Sequence, residues 1–182
     1  MNPLSFLIST LIELYTMVVI LRIWLQAARA DFYNPFSQFI VKATQPVVGP
    51  LRRVIPSIGG IDLATVLFAY SLLVLKFALI AFISPNEAFS STLEGHLLVA
   101  IFGILKITGK VVFYVLIIRA ILSWVSQGRS PIEYVFHQLT EPMLAPIRRI
   151  IPAMGGVDFS ILILFILLNF LNLLVGYLLP TI

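Results

Sequence analysis

Four stretches of this 182-residue chain, at 3–25, 63–83, 99–125 and 159–179, are apolar over about the length a membrane-crossing helix requires. About 20 helical residues cross about 30 Å of hydrocarbon, and a helix satisfies its backbone polar groups without water. The first stretch carries Glu13 and Arg22, the second Lys76, the third Lys106, Lys110 and Arg119, and the fourth no charge. Composition agrees: 60% of residues are apolar and 11% charged, against about 25% charged in a soluble domain. A soluble enzyme and a disordered chain are both excluded. No cysteine is present, which excludes disulfides, thiolate metal sites and thiol nucleophiles. The net charge of +4 rests on too few basic residues to form a nucleic-acid stripe, so no nucleic-acid partner is expected.

Ala28-Arg29-Ala30 superficially resembles a signal-peptide cleavage site, but no basic region precedes the first apolar run and that run is too long. It is read as a permanent span. The connection 26–61 carries Arg29, Lys42, Arg52 and Arg53, and the connection 126–157 carries Arg129, Arg148 and Arg149. Both termini and the middle connection, 84–98, have no lysine or arginine. Seven basic residues against none place both long connections in the cytoplasm and both termini outside.

The chain also repeats itself. Thr44-Gln45-Pro46, Pro50, Leu51-Arg52-Arg53-Val54-Ile55-Pro56 and Gly59-Gly60-Ile61-Asp62 return 96 residues later. Their second copies are Thr140-Glu141-Pro142, Pro146, Ile147-Arg148-Arg149-Ile150-Ile151-Pro152 and Gly155-Gly156-Val157-Asp158. Between positions 35 and 62, 11 of 28 residues are identical at this offset, and Arg22 matches Arg119 across a one-residue gap. Each copy holds two spans, so the copies are parallel. The expected fold class is an all-α membrane protein of four transmembrane helices in two tandem repeats, 1–83 and 99–182, joined by an outer loop at 84–98.

The cytoplasmic segments are patterned too. Ser130-Pro131-Ile132-Glu133 offers a capping box, with Val135, Phe136, Leu139, Met143 and Ile147 on one face beyond it. The first copy starts at Asn34-Pro35. Pro46 and Pro50, like Pro142 and Pro146, remove backbone donors and predict kinking, with two short helices in each copy on or in the cytoplasmic leaflet.

Residues with chemical potential fall into three groups. Glu13, Lys76, Lys106, Lys110, Asn169 and Asn172 form a candidate intramembrane polar cluster, because a charge inside a span is expensive and normally faces a bundle interior or water. Glu13 lies nine residues before Arg22 and Lys110 nine before Arg119, so these two are expected to pair across the repeat axis. The cluster serves either as an ion pathway or as structural glue. Arg52, Arg53, Arg148 and Arg149 form a candidate surface for anionic lipid or a partner. Gly59, Gly60 and Asp62, with Gly155, Gly156 and Asp158, read as sharp turns followed by helix N-caps. The sharper alternative, two aspartates sharing a proton as in an aspartic protease, is weaker. Glu133, His137 and Glu141 share a helical face, but Ser37, Val41 and Gln45 replace them in the first copy, so a metal site is not expected. No cofactor and no enzymatic activity are expected.

With Arg119-Ala-Ile-Leu-Ser-Trp124, the segment from Thr140 to Pro152 and Gly155-Gly-Val-Asp-Phe-Ser160 in view, the chain resembles the YggT family of bacterial and plastid membrane proteins. The likeness spans both copies, although Leu63-Ala64 stands where the second copy has Phe159-Ser160. It implies a bacterial inner-membrane location and a link to osmotic-shock survival and potassium handling. Relatives of other kinds imply the alternative, a scaffold or assembly factor in division, nucleoid organisation or cytochrome assembly. Membrane lipids, anionic ones among them, and a second copy or another membrane protein are the expected partners.

Overall fold

The computed structural model describes residues 2–58, 60–88, 92–125, 130–151 and 159–178. These form six helices: α1 (Pro3–Ala27), α2 (Pro35–Leu51), α3 (Leu63–Ile83), α4 (Leu93–Val125), α5 (Pro131–Ile150) and α6 (Phe159–Leu178). A short 3-10 turn, Pro85–Glu87, joins α3 to the loop before α4. No strand occurs among the described residues; an isolated bridge between Ile58 and Ile61 closes the turn ahead of α3. Pro3–Ala27, Leu63–Ile83 and Leu93–Leu122 are long and apolar enough to cross a membrane. The third of these begins six residues earlier than the apolar run at 99 implied, so the connection from α3 is shorter than expected.

Helices α1, α3 and α4 pack against one another, with α2 against α1 and α3 and α5 against α4. Val19, Ile40, Leu73, Val111 and Leu139, one from each of the first five helices, meet in the main core. A smaller core joins Val112 and Leu116 of α4 to Leu144 of α5 and Leu164 of α6. Around this interior the outer faces stay apolar, with Leu11, Phe82, Ile121 and Leu173 exposed. Lipid is as apolar as those side chains, so hydrophobic burial gives little reason for the helices to associate; close packing and polar ties between helices do that work.

The amphipathic segments differ from expectation. Each is one continuous helix and not two short ones, although Pro46 and Pro50 lie inside α2 and Pro142 and Pro146 inside α5. Pro46 leaves the Lys42 carbonyl without its helical donor. The two flanking carbonyls receive bonds from α1: the Tyr15 hydroxyl donates to Ala43 O at 3.1 Å and Arg22 Nη1 to Val41 O at 3.4 Å. The two bonds from α1 compensate in part, bracing the carbonyls on either side of the weakened turn.

The helix ends fix how α2 and α5 meet. Asn34 Oδ1 accepts from Phe36 N at 3.0 Å, capping α2, while its Nδ2 donates to Pro131 O at 2.6 Å. Nearby, Phe36 and Phe136 pack with ring centroids 5.1 Å apart. Ser130 takes the N-cap position of α5, but its hydroxyl makes no cap bond, so the expected capping box lacks its serine half. At the end of α1, Ala30 N donates to Leu25 O and Arg29 N to Gln26 O, the two bonds of a Schellman cap. Arg29 occupies the left-handed position, φ 50°, where glycine is usual. The Tyr15 hydroxyl gives a direct test of the proline compensation. Tyr15→Phe should lower stability by about 1 kcal/mol, read as a reduced unfolding midpoint in detergent. Its ring keeps its packing against Phe68, so a larger loss would indicate a different role.

Candidate functional site

Three of the charges inside the apolar helices converge. Glu13 on α1 accepts from Lys76 Nζ of α3 at 2.5 Å through Oε1 and from Lys110 Nζ of α4 at 3.0 Å through Oε2. One carboxylate thus holds two ammonium groups from two other helices. Lys76 is the deeper partner, its side chain 11% exposed and its Nζ 5.2 Å from the Phe77 ring centroid; that of Lys110 is 41% exposed. The sequence predicted Glu13 opposite Lys110 but assigned Lys76 no partner.

The remaining members of the candidate cluster line a cleft on α4 that Lys110 also borders. This cleft of about 460 Å³ between α4 and α6 is lined by Lys106, Lys110, Tyr114, Asn169 and Asn172, among others. Asn169 Nδ2 donates to Phe165 O of its own helix at 2.9 Å. Lys110 alone belongs both to the carboxylate cluster and to this cleft.

Two arginines near the ends of α1 and α4 tie those helices to the amphipathic ones. Arg22, 4% exposed, donates to Thr44 Oγ1 at 2.7 Å and Gln45 Oε1 at 2.9 Å. Arg119 bonds Thr140 Oγ1 and reaches Glu141 Oε2 at 3.3 Å. Each threonine hydroxyl also donates to its own helix, Thr44 to Ile40 O and Thr140 to Phe136 O. These partners were missed at the sequence level. The signal was present: Arg22 and Arg119 recur together with Thr44-Gln45 and Thr140-Glu141.

The four candidate surface arginines divide. Arg52 Nε and Nη2 reach Asp62 Oδ2 at 2.8 and 2.5 Å, and Arg148 Nη1 bridges both oxygens of Glu141 at 2.8 and 2.9 Å. Arg53 and Arg149 are exposed. Asp62 stands at the N-cap of α3, as expected, yet makes no side-chain cap bond. Its Oδ2 takes Arg52 and the Thr65 hydroxyl instead. Burial pushes this carboxyl up, but the bonds from Arg52 and Thr65 outweigh burial and hold it below the ordinary aspartate value. A carboxylate so engaged does not suit a shared-proton dyad. Gly60 has φ 84°, the left-handed conformation that the turn reading required. Gly59, Gly155, Gly156 and Asp158 lie outside the described residues. His137 Nε2 is 3.4 Å from Glu141 Oε2, and no group of three metal-binding side chains occurs among the described residues.

Long apolar helices tied by internal charges define a helical membrane protein. The CCB3/YggT family model matches residues 1–83 and 98–179. A Vibrio alginolyticus protein described as an uncharacterized protein in the proC 3' region is 70% identical over 176 residues, covering 97% of this chain and 95% of that relative. The uncharacterized protein YggT of Escherichia coli K12 is 56% identical over 173 residues, covering 95% and 89%, and an uncharacterized Haemophilus influenzae protein is 40% identical over 172 residues, covering 94% and 91%. No solved structure matches the chain. The chain belongs to the CCB3/YggT family.

Two predictions follow from the ion pairs. Glu13→Gln strands the Lys76 ammonium in the bundle and should cost about 3 kcal/mol, the low end for breaking a buried pair, because Glu13 retains some exposure. Lys110→Met, removing a more exposed partner, should cost under about 1 kcal/mol. Unfolding midpoints of the two variants should therefore differ clearly, and equal losses would contradict this ranking. For Asp62 the folded pKa is lowered, so its contribution is complete above the ordinary value and is lost as pH falls through the folded one. Asp62→Asn should be less stable than the native chain near neutrality. The gap should begin to narrow as pH falls below the ordinary value of about 3.9 and close once pH has passed the lower folded one.

Proposed function

We propose that this is a four-span inner-membrane protein, built as two parallel repeats, that supports ion homeostasis, potassium handling included, under osmotic stress. In this reading α6 is the fourth span, both termini lie outside, the two amphipathic helices, proline-kinked, face the cytoplasm, and no reaction is catalysed. The equivalent ties of Arg22 to Thr44 and of Arg119 to Thr140 support the repeat layout, as does the family match in two segments. Membrane lipid and a second copy are the proposed partners; α6, with Phe170, Leu173 and Tyr177 exposed, offers an apolar face to them.

The observation that carries the functional reading is the double membership of Lys110. It links the buried Glu13 cluster to the cleft lined by Asn169 and Asn172. A polar track of this kind inside a membrane is costly and marks pathways in many transport proteins. Two ammonium groups on one carboxylate leave a positive surplus, which repels a bare potassium ion.

The second reading is a non-catalytic scaffold or assembly factor. Exposure of Arg53 and Arg149, while Arg52 and Arg148 are taken by internal carboxylates, favours it. Reconstitution into liposomes under an osmotic step, with potassium, proton and chloride readouts, separates the two. Transport predicts a selective flux that falls severalfold in Asn172→Leu, a change that leaves the Glu13 cluster intact. No flux from folded, inserted protein would sink that reading, and loss of partner recovery on charge reversal of Arg53 and Arg149 would then support the scaffold.

A further inference from the structure

A second cleft, of about 540 Å³, opens where the end of α1 meets α2, and its walls include Arg22, Arg29, Arg52, Ser37 and Gln45. Three guanidinium groups face one space. Among the described residues, the carboxylate in ion-pair contact with any of them is Asp62, held by Arg52. Arg29 is exposed, so Arg22 is the buried positive charge left without a carboxylate in ion-pair contact. Arg22 is the more demanding of the groups, being 4% exposed with neutral partners only: Thr44, Gln45 and the Val41 carbonyl. A buried charge normally finds a counter-charge, because desolvation otherwise costs several kcal/mol.

The duplicated half shows what is missing. Arg119 stands where Arg22 stands, and its equivalent partner is Glu141, a carboxylate that also holds Arg148. In the first half this position is Gln45, and Arg52 pairs with Asp62. Glu141 thus touches both arginines of the second half, whereas in the first Asp62 touches Arg52 and Arg22 has no carboxylate in contact. A further observation points the same way: Ser37, 2% exposed, lines the cleft, and its hydroxyl is a buried polar atom without a hydrogen-bond partner.

We propose that this cleft is a binding site for a phosphate group, which supplies to Arg22, Arg29 and Arg52 the negative charge that Glu141 supplies to Arg119 and Arg148. Arginine forks suit phosphate oxygens. The phosphate belongs to an anionic lipid headgroup or is free inorganic phosphate. Apolar walls at Leu25 and Phe32 accommodate the glycerol and upper acyl region of the former. The site shares no residue with the Glu13 cluster or its cleft, so it stands apart from the transport reading.

The test exploits the difference between the halves. Gln45→Glu, close to isosteric, installs the missing carboxylate and should raise the unfolding midpoint in neutral detergent without any anion. Affinity for phosphate should then fall about tenfold or more as Arg22 is satisfied internally. Binding is read by thermal shift with inorganic phosphate, and in nanodiscs of pure phosphatidylcholine against phosphatidylcholine with phosphatidylglycerol. Stabilisation of the native chain by phosphatidylglycerol alone identifies a lipid site, and by inorganic phosphate a free-anion site. In either case the effect must be lost in Gln45→Glu. No stabilisation by either probe, or equal stabilisation of both proteins, overturns the proposal.

Discussion

The Glu13 carboxylate holds the bundle's three longest apolar helices to one another. It lies on α1 and accepts from Lys76 on α3 and Lys110 on α4. In hydrocarbon, apolar side chains gain little by leaving lipid, so association depends on close packing and on polar groups that have nowhere else to go. A charge inserted alone costs about 2.5–3.5 kcal/mol at the centre of a span. Three such charges sharing one site convert that cost into a constraint on which helices meet, and at what depth. Leu73, Val111 and Val19 pack around the result.

The arginine ties apply the same rule where the helices meet the amphipathic segments. Arg22 and Arg119 each reach a threonine two residues ahead of a proline that interrupts the helix ladder. Tyr15 joins Arg22 in serving carbonyls beside the weak turn of α2. Two carbonyls beside that turn, Val41 O and Ala43 O, take bonds from α1, and these tie the two helices in register. The arginine–threonine tie occurs in both sequence copies, and one position, Gln45 against Glu141, differs in charge beside it.

Much of this was legible in the residue pattern. Apolar length placed the long helices, and the 96-residue recurrence pointed to equivalent elements. Nine-residue spacings put Glu13 and Lys110 at one depth. Other features depended on competition that spacing does not resolve. Prolines at 46 and 50 predict a break, but α2, like α5 with Pro142 and Pro146, stays one continuous helix. Asp62 has the place and chemistry of a cap, yet a guanidinium ten residues earlier outbids the helix amides. Ser130 likewise satisfies a local motif without making its bond. For Asp62 a partner on the neighbouring element, Arg52 at the end of α2, decided the outcome.

By itself, then, the sequence determined the class of protein and its periodic skeleton. Hydrophobic length and recurrence are one-dimensional properties, and backbone satisfaction in lipid leaves a helix as the natural form for such runs. The tertiary structure alone decided which polar groups meet: Lys76 with Glu13, Lys110 between that cluster and a cleft, and Arg22 without a carboxylate where Arg119 has one. Helix rotation and tilt, set by packing against several neighbours at once, determine which side chain lands within about 3 Å of another. Chain spacing carries no such angle.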